Sequence, residues 1–150
     1  MATLTQQTAG RRTGKQPEKA SFSPKWASGF SIIEASRQGV PAKQADELAQ
    51  LLNLSFKELA AILQIAERTL HRFRNEGRLD AHSSERLLLL SNLAAHGLMV
   101  FDSRADALAN WLRYPLKELK DQAPLLLLST ISGFSLVDDV LTRIEYGVYA

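Results

Sequence analysis

The sequence predicts an all-α fold, a helix-turn-helix region followed by a small helical domain, and three observations predict it. From Trp26 onward the apolar residues recur at spacings of three and four, and no alternating stretch of useful length appears, which is the period of helices and not of strands. Ser, Pro and Gly stand at intervals where helices begin and end. Two of the resulting helices are short and joined by a turn of only a few residues, the arrangement that sends a second helix into the major groove of DNA.

Residues 1–25 form a basic arm, with Arg11, Arg12, Lys15, Lys19 and Lys25 against Glu18 alone, a local charge of +4 in a chain whose total is +2. Polar, and lacking either period, it reads as a mobile segment with a nonspecific attraction for phosphate. Within it GRRTGK resembles a phosphate-binding loop only superficially. One residue is missing between the glycines, Gln16 stands where Ser or Thr is needed, and no strand precedes it.

A helical region is expected over 26–101. Its first helix runs through Phe30 and Ile33 and stops near Gly39; Pro41 opens the next, which carries Leu48, Leu51 and Leu52 inward. Ser55 with Glu58 three residues on is a capping box that starts a short helix with an apolar stripe of Leu59, Ile62 and Leu63. Gln64 to Ala66 make the turn. The second short helix runs from about Glu67 to Gly77, so the helix-turn-helix occupies about 55–77. A long helix, HSSERLLLLSNLAAHGLMVF, follows. The region 102–150 is expected to be a second helical unit: ADALANWLRYP ended by Pro115, an apolar block PLLLLSTI ending at Gly133, and a last helix LVDDVLTRIEYG. Ser135 and Asp138 are placed to cap that helix, Leu136, Val140 and Ile144 share a face, Asp139 and Arg143 form an i,i+4 pair, and Gly147 closes it. The leucines of these blocks are read as core.

At about 100° per residue, Leu70 and Phe73 fall on one side of the second short helix, while Arg68, His71, Arg72 and Asn75 fall on the other. Guanidinium, imidazole and amide are the groups that bond phosphate oxygens and purine edges. Arg74 and Arg78 flank this face as candidates for backbone phosphates, and Thr69 completes the candidate DNA-binding set.

The composition excludes other classes. With no cysteine there is no disulfide framework, thiolate metal site or thiol nucleophile, which suits a reducing compartment. The longest apolar runs, Leu87–Leu90 and Leu125–Leu128, fall far short of a membrane span, and the N-terminus has no signal-peptide core, so a cytoplasmic protein is expected. His71, His82 and His96 are too far apart to make a helical metal pair, and no HExxH or GxSxG occurs. No enzyme, metal or cofactor is expected.

The ordered strings ELAAILQIAERTLHRFRNEGRL, SERLLLL, ALANWL and RIEYGVYA, spread from about Gly39 to Ala150, resemble the Xre/MbcA/ParS antitoxin family, the partners of RES-domain toxins. Ala66 departs from the serine common in that family at the cap of the recognition helix, and LKELKDQAPLLLL is less glycine-rich than the usual loop. The resemblance implies a C-terminal domain that binds a RES toxin, which consumes NAD, with the terminal segment at the mouth of the toxin's active site. Under it the toxin-binding residues are Arg143, Glu145, Tyr146, Gly147, Val148, Tyr149 and Ala150. Operator DNA, a homodimer and a hetero-oligomer with the toxin are the implied partners. The alternative is a free-standing repressor whose C-terminal domain only dimerises.

Overall fold

A computed structural model describes residues 22–147, and the basic arm up to position 21 and the last three residues lie outside the described part. Eight α-helices follow in order: α1 (Gly29–Gln38), α2 (Ala42–Leu51), α3 (Phe56–Leu63), α4 (Glu67–Glu76), α5 (Ala81–Val100), α6 (Ala105–Leu112), α7 (Pro124–Leu127) and α8 (Ile131–Glu145), with a 3₁₀ turn at Lys117–Leu119. No strand occurs among the described residues; two isolated antiparallel bridges join Pro41 to Arg78 and Leu116 to Gln122.

Local chemistry sets most of these boundaries. Ser55 accepts from the Glu58 amide, Asp80 from Ser83 and Thr130 from Gly133, each satisfying an orphan donor of a first helical turn. Gly77 ends α4 in the left-handed conformation at φ +84°. The Glu58 carboxylate of the Ser55–Glu58 box also pairs with Arg113.

α5 is the axis of the molecule and touches α1, α3, α6 and α8. Its Leu87, Leu90 and Leu93 join Leu59, Leu63 and Leu70 from the helix-turn-helix and Leu108, Val137 and Leu141 from the C-terminal helices in one continuous core. Polar side chains fasten the layers. The Ser84 hydroxyl accepts from the Val40 amide at 2.8 Å, and the Asn92 amide pairs with both backbone groups of Ala27, at 2.8 and 2.9 Å. Arg86 donates to Ser129 O at 3.1 Å and reaches Ile62 O at 3.5 Å, placing a cation against the carbonyl-rich ends of α7 and α3.

Several expectations for the C-terminal region need correction. The last helix begins at Ile131 with Thr130 as its cap, so Gly133, Ser135 and Asp138 lie inside it. Gly133 is no terminator: it is buried where α8 abuts α7, and a Cβ there would fall 1.6 Å from Leu127 O. The buried face of α8 is Phe134, Val137, Val140 and Leu141, leaving Leu136 exposed. Leu126 is likewise exposed, and Asp139 and Arg143 form no ion pair among the described residues.

Candidate functional site

Two surfaces are built by this framework. The first is the outer face of α4. Leu70 and Phe73 anchor the helix in the core, and that alone turns Arg68, His71, Arg72 and Asn75 to solvent, as the helical wheel requires. Thr69 is half-buried beside the anchor. The exposed residues differ in how firmly they are held. His71 stacks on Phe56 of α3, ring centroids 4.2 Å apart, so its imidazole is fixed relative to the preceding helix. Arg72 lies near Glu76 at 3.7 Å, a loose exposed pair one helical turn apart. Arg68 and Asn75 make no side-chain hydrogen bond or ion pair within the described residues.

The flanking arginines are tied into the protein itself. Arg74 meets the Asp46 carboxylate with two nitrogens, at 3.2 and 3.1 Å, and lies over the Phe56 ring, bracing α4 against α2 and α3. Arg78 donates to the carbonyl of Gly39 and, at 3.4 Å, to that of Gln38. With the bridge to Pro41 it fastens the exit of the helix-turn-helix to the α1–α2 turn. At the other end of α4, Ala66 supplies no side-chain acceptor. The first-turn amides of a ten-residue helix are therefore left to solvent or to an anion.

The second surface is the end of α8. Arg143 and Tyr146 are exposed, Tyr146 by 73 %, and Gly147 turns the chain at φ +66°. Glu145 faces inward in part: its carboxylate accepts from His96 Nε2 at 2.9 Å, while Asp138 engages the other ring nitrogen at 2.7 Å. Val148, Tyr149 and Ala150 lie outside the described residues. His96 and Asp138 were not singled out as site residues by the sequence, and no local signal could have done so, since the contacts span 42 and 49 positions.

Between α5 and the first half of α8 runs an apolar groove of about 840 Å³ bordered by Trp26, Met99, Ile131 and Phe134. A bidentate ion pair ties the helix-turn-helix to the C-terminal helices. Arg113 at the end of α6 makes a bidentate contact to Glu58 of α3 at 3.0 and 2.7 Å and also donates to Asn53 O. The hydrogen bonds from Arg113 hold the Glu58 carboxyl below its ordinary pKa, against the opposing effect of partial burial. No group of three or more His, Cys, Asp or Glu side chains suited to a metal occurs among the described residues, and none of their helices is long and apolar enough to cross a membrane.

Residues 31–92 match the antitoxin Xre-like helix-turn-helix domain, and residues 96–147 match the antitoxin Xre/MbcA/ParS C-terminal toxin-binding domain. Neither is a catalytic family. Two curated proteins named Antitoxin Xre, from Yersinia enterocolitica serotype O:8 / biotype 1B and from Photorhabdus laumondii subsp. laumondii, are each 24 % identical over 123 residues, covering 81 % of this chain and 83 % of theirs. The two matched regions meet inside α5.

Proposed function

Because the chain belongs to the Xre/MbcA/ParS antitoxin family, with a DNA-binding helix-turn-helix domain followed by a toxin-binding domain, we propose that it is the antitoxin of a type II system that occludes the active site of a RES-type, NAD-consuming toxin and represses its own operon. The observation that carries the reading is the end of α8. Within the toxin-binding match, a 73 % exposed tyrosine stands at the end of the last helix, followed by a glycine in the left-handed conformation. A tyrosine buries a large area for two rotatable bonds and keeps a hydroxyl for a wet rim, which suits an anchor at a partner's cleft.

Neutralisation of this kind breaks no bond. The terminal segment, Gly147 to Ala150, fills the space that NAD would enter, while Arg143 and Tyr146 hold it there. Repression uses the face of Arg68, His71, Arg72 and Asn75 against base edges, with phosphate at the uncapped start of α4. A homodimer on DNA would read two half-sites about one helical turn apart, and toxin bound to it would give a hetero-oligomer. The cysteine-free composition suits the cytoplasm.

The test is coexpression with a RES-domain protein encoded beside it, followed by co-purification and assay of NAD consumption. Full-length protein should inhibit, and a protein lacking Val148–Ala150 should bind yet inhibit far less. Full inhibition by the truncated protein would refute the plug. Failure to bind any RES partner, with operator binding intact, would favour a free-standing repressor.

A further inference from the structure

His96 stands on the inner face of α5, largely buried, between two carboxylates of α8 that are seven residues, two helical turns, apart. Nδ1 lies 2.7 Å from Asp138 Oδ1 and Nε2 lies 2.9 Å from Glu145 Oε2. Carboxylate oxygens only accept, so each bond takes its hydrogen from the ring. A neutral imidazole carries one such hydrogen and an imidazolium two. The double bridge therefore requires a charged ring.

We propose that His96 is a positioning residue for toxin binding: its imidazolium clamps Asp138 and Glu145, fixes the last turns of α8 on α5, and so sets where Arg143 and Tyr146 meet the partner. The proposal rests on the reading of that end as the toxin-binding surface. One consequence is direct. Deprotonation leaves the ring with a single N–H, one of the two bonds is lost, and inhibition weakens.

The surroundings are consistent with this. Burial of the ring opposes its charge, but the hydrogen bonds to Asp138 and Glu145, with their charges, outweigh it and leave its pKa above the ordinary histidine value. The two carboxylates of α8 are the charged groups acting on the ring. Its other neighbours along the groove, Trp26, Asn92, Met99 and Phe134, carry no charge. A histidine whose pKa rises on folding adds stability that is fully present below its unfolded value of about 6.5 and is lost as pH climbs through the raised one. The clamp is closed where the ring is charged and both carboxylates are ionised, and it opens as pH rises through the raised pKa.

The experiment uses the full-length protein, with His96→Gln as the neutral variant and His96→Arg as a cation that does not titrate. In the free protein, NMR should show the backbone signals of Glu145 and Tyr146 moving with the midpoint of the His96 ring, and His96→Gln should abolish that movement. Affinity for the RES partner, measured from pH 6 to pH 9, should fall by about tenfold in the wild type, the scale of one charge-assisted hydrogen bond. His96→Gln should bind weakly and His96→Arg more tightly than Gln, both without that slope. Operator binding and the melting temperature at each pH separate a local effect from loss of fold. A wild-type slope that survives in His96→Gln, or α8 signals that ignore the ring's titration, would overturn the proposal. Absence of RES binding by the wild type at every pH would instead overturn the proposed function.

Discussion

Replacing Gly133 with alanine sets two physical effects against each other. In a helix, alanine is favoured over glycine by up to about 1 kcal/mol, so the sequence alone forecasts a more stable protein. The structure forecasts the opposite. The added methyl carbon would sit 1.6 Å from the Leu127 carbonyl oxygen, 2.5 Å from its carbon and 2.9 Å from Thr130 Oγ1. A carbon–oxygen contact relaxes only at about 3.3 Å, so the two backbones must separate by more than an ångström. The obstacle is main chain, with no rotamer to yield, and it lies at the cap where Thr130 accepts from the Gly133 amide. Overpacking of this kind costs about 3 kcal/mol, the upper end of its usual range. After the propensity gain, Gly133→Ala should lose about 2 kcal/mol and about 6 °C in melting temperature for a chain of this size. Thermal unfolding followed by circular dichroism measures it, and operator binding below the transition should persist because α4 packs against α2 and α3. An alanine variant as stable as the wild type would refute the packing described for the α7–α8 corner.

The Arg113–Glu58 bridge should show itself through pH. Arg113→Ala is expected to cost about 1 kcal/mol or less at pH 7, since both side chains are about one-third exposed. A carboxylate with a depressed pKa gives stability that is present above its unfolded value and lost as pH falls through the folded one, so melts of wild type and variant should converge in acid, apart from the contribution of the bond to Asn53 O. On the DNA side, Arg68→Ala and Asn75→Ala should each weaken operator binding by about 1–3 kcal/mol without moving the melting temperature. Arg74→Ala and Arg78→Ala should lower the melting temperature, because their guanidinium groups brace α2 and the α1–α2 turn.

The helix-turn-helix was legible because its signals are local. Ser55 caps three residues away, Gly77 ends its own helix, and the phase of Leu70 and Phe73 fixes the opposite face. The start of α8 was not. Gly133 reads as a breaker in one dimension, and only the approach of α7 explains why a glycine is needed inside a helix. The candidate site followed the same division. Sequence oriented Arg74 and Arg78 but could not show that Asp46 and the Gly39 carbonyl already hold them, 28 and 39 positions away. It named Glu145 as a partner-facing candidate but could not show that its carboxylate also bonds His96 of α5, 49 positions away.

The 20 residues of α5 pass from one matched domain into the other without a break. A continuous helix works like a splined shaft, in which the angle between its two ends is a count of residues. One residue inserted between positions 92 and 96 would turn the toxin-binding end by about 100° and advance it by about 1.5 Å relative to α4, and Arg113 would no longer meet Glu58. Four inserted residues would bring the ends back to within about 40° of the original phase at an added length of about 6 Å. The orientation of the toxin-binding domain relative to the helix-turn-helix is thus written in the length of one helix.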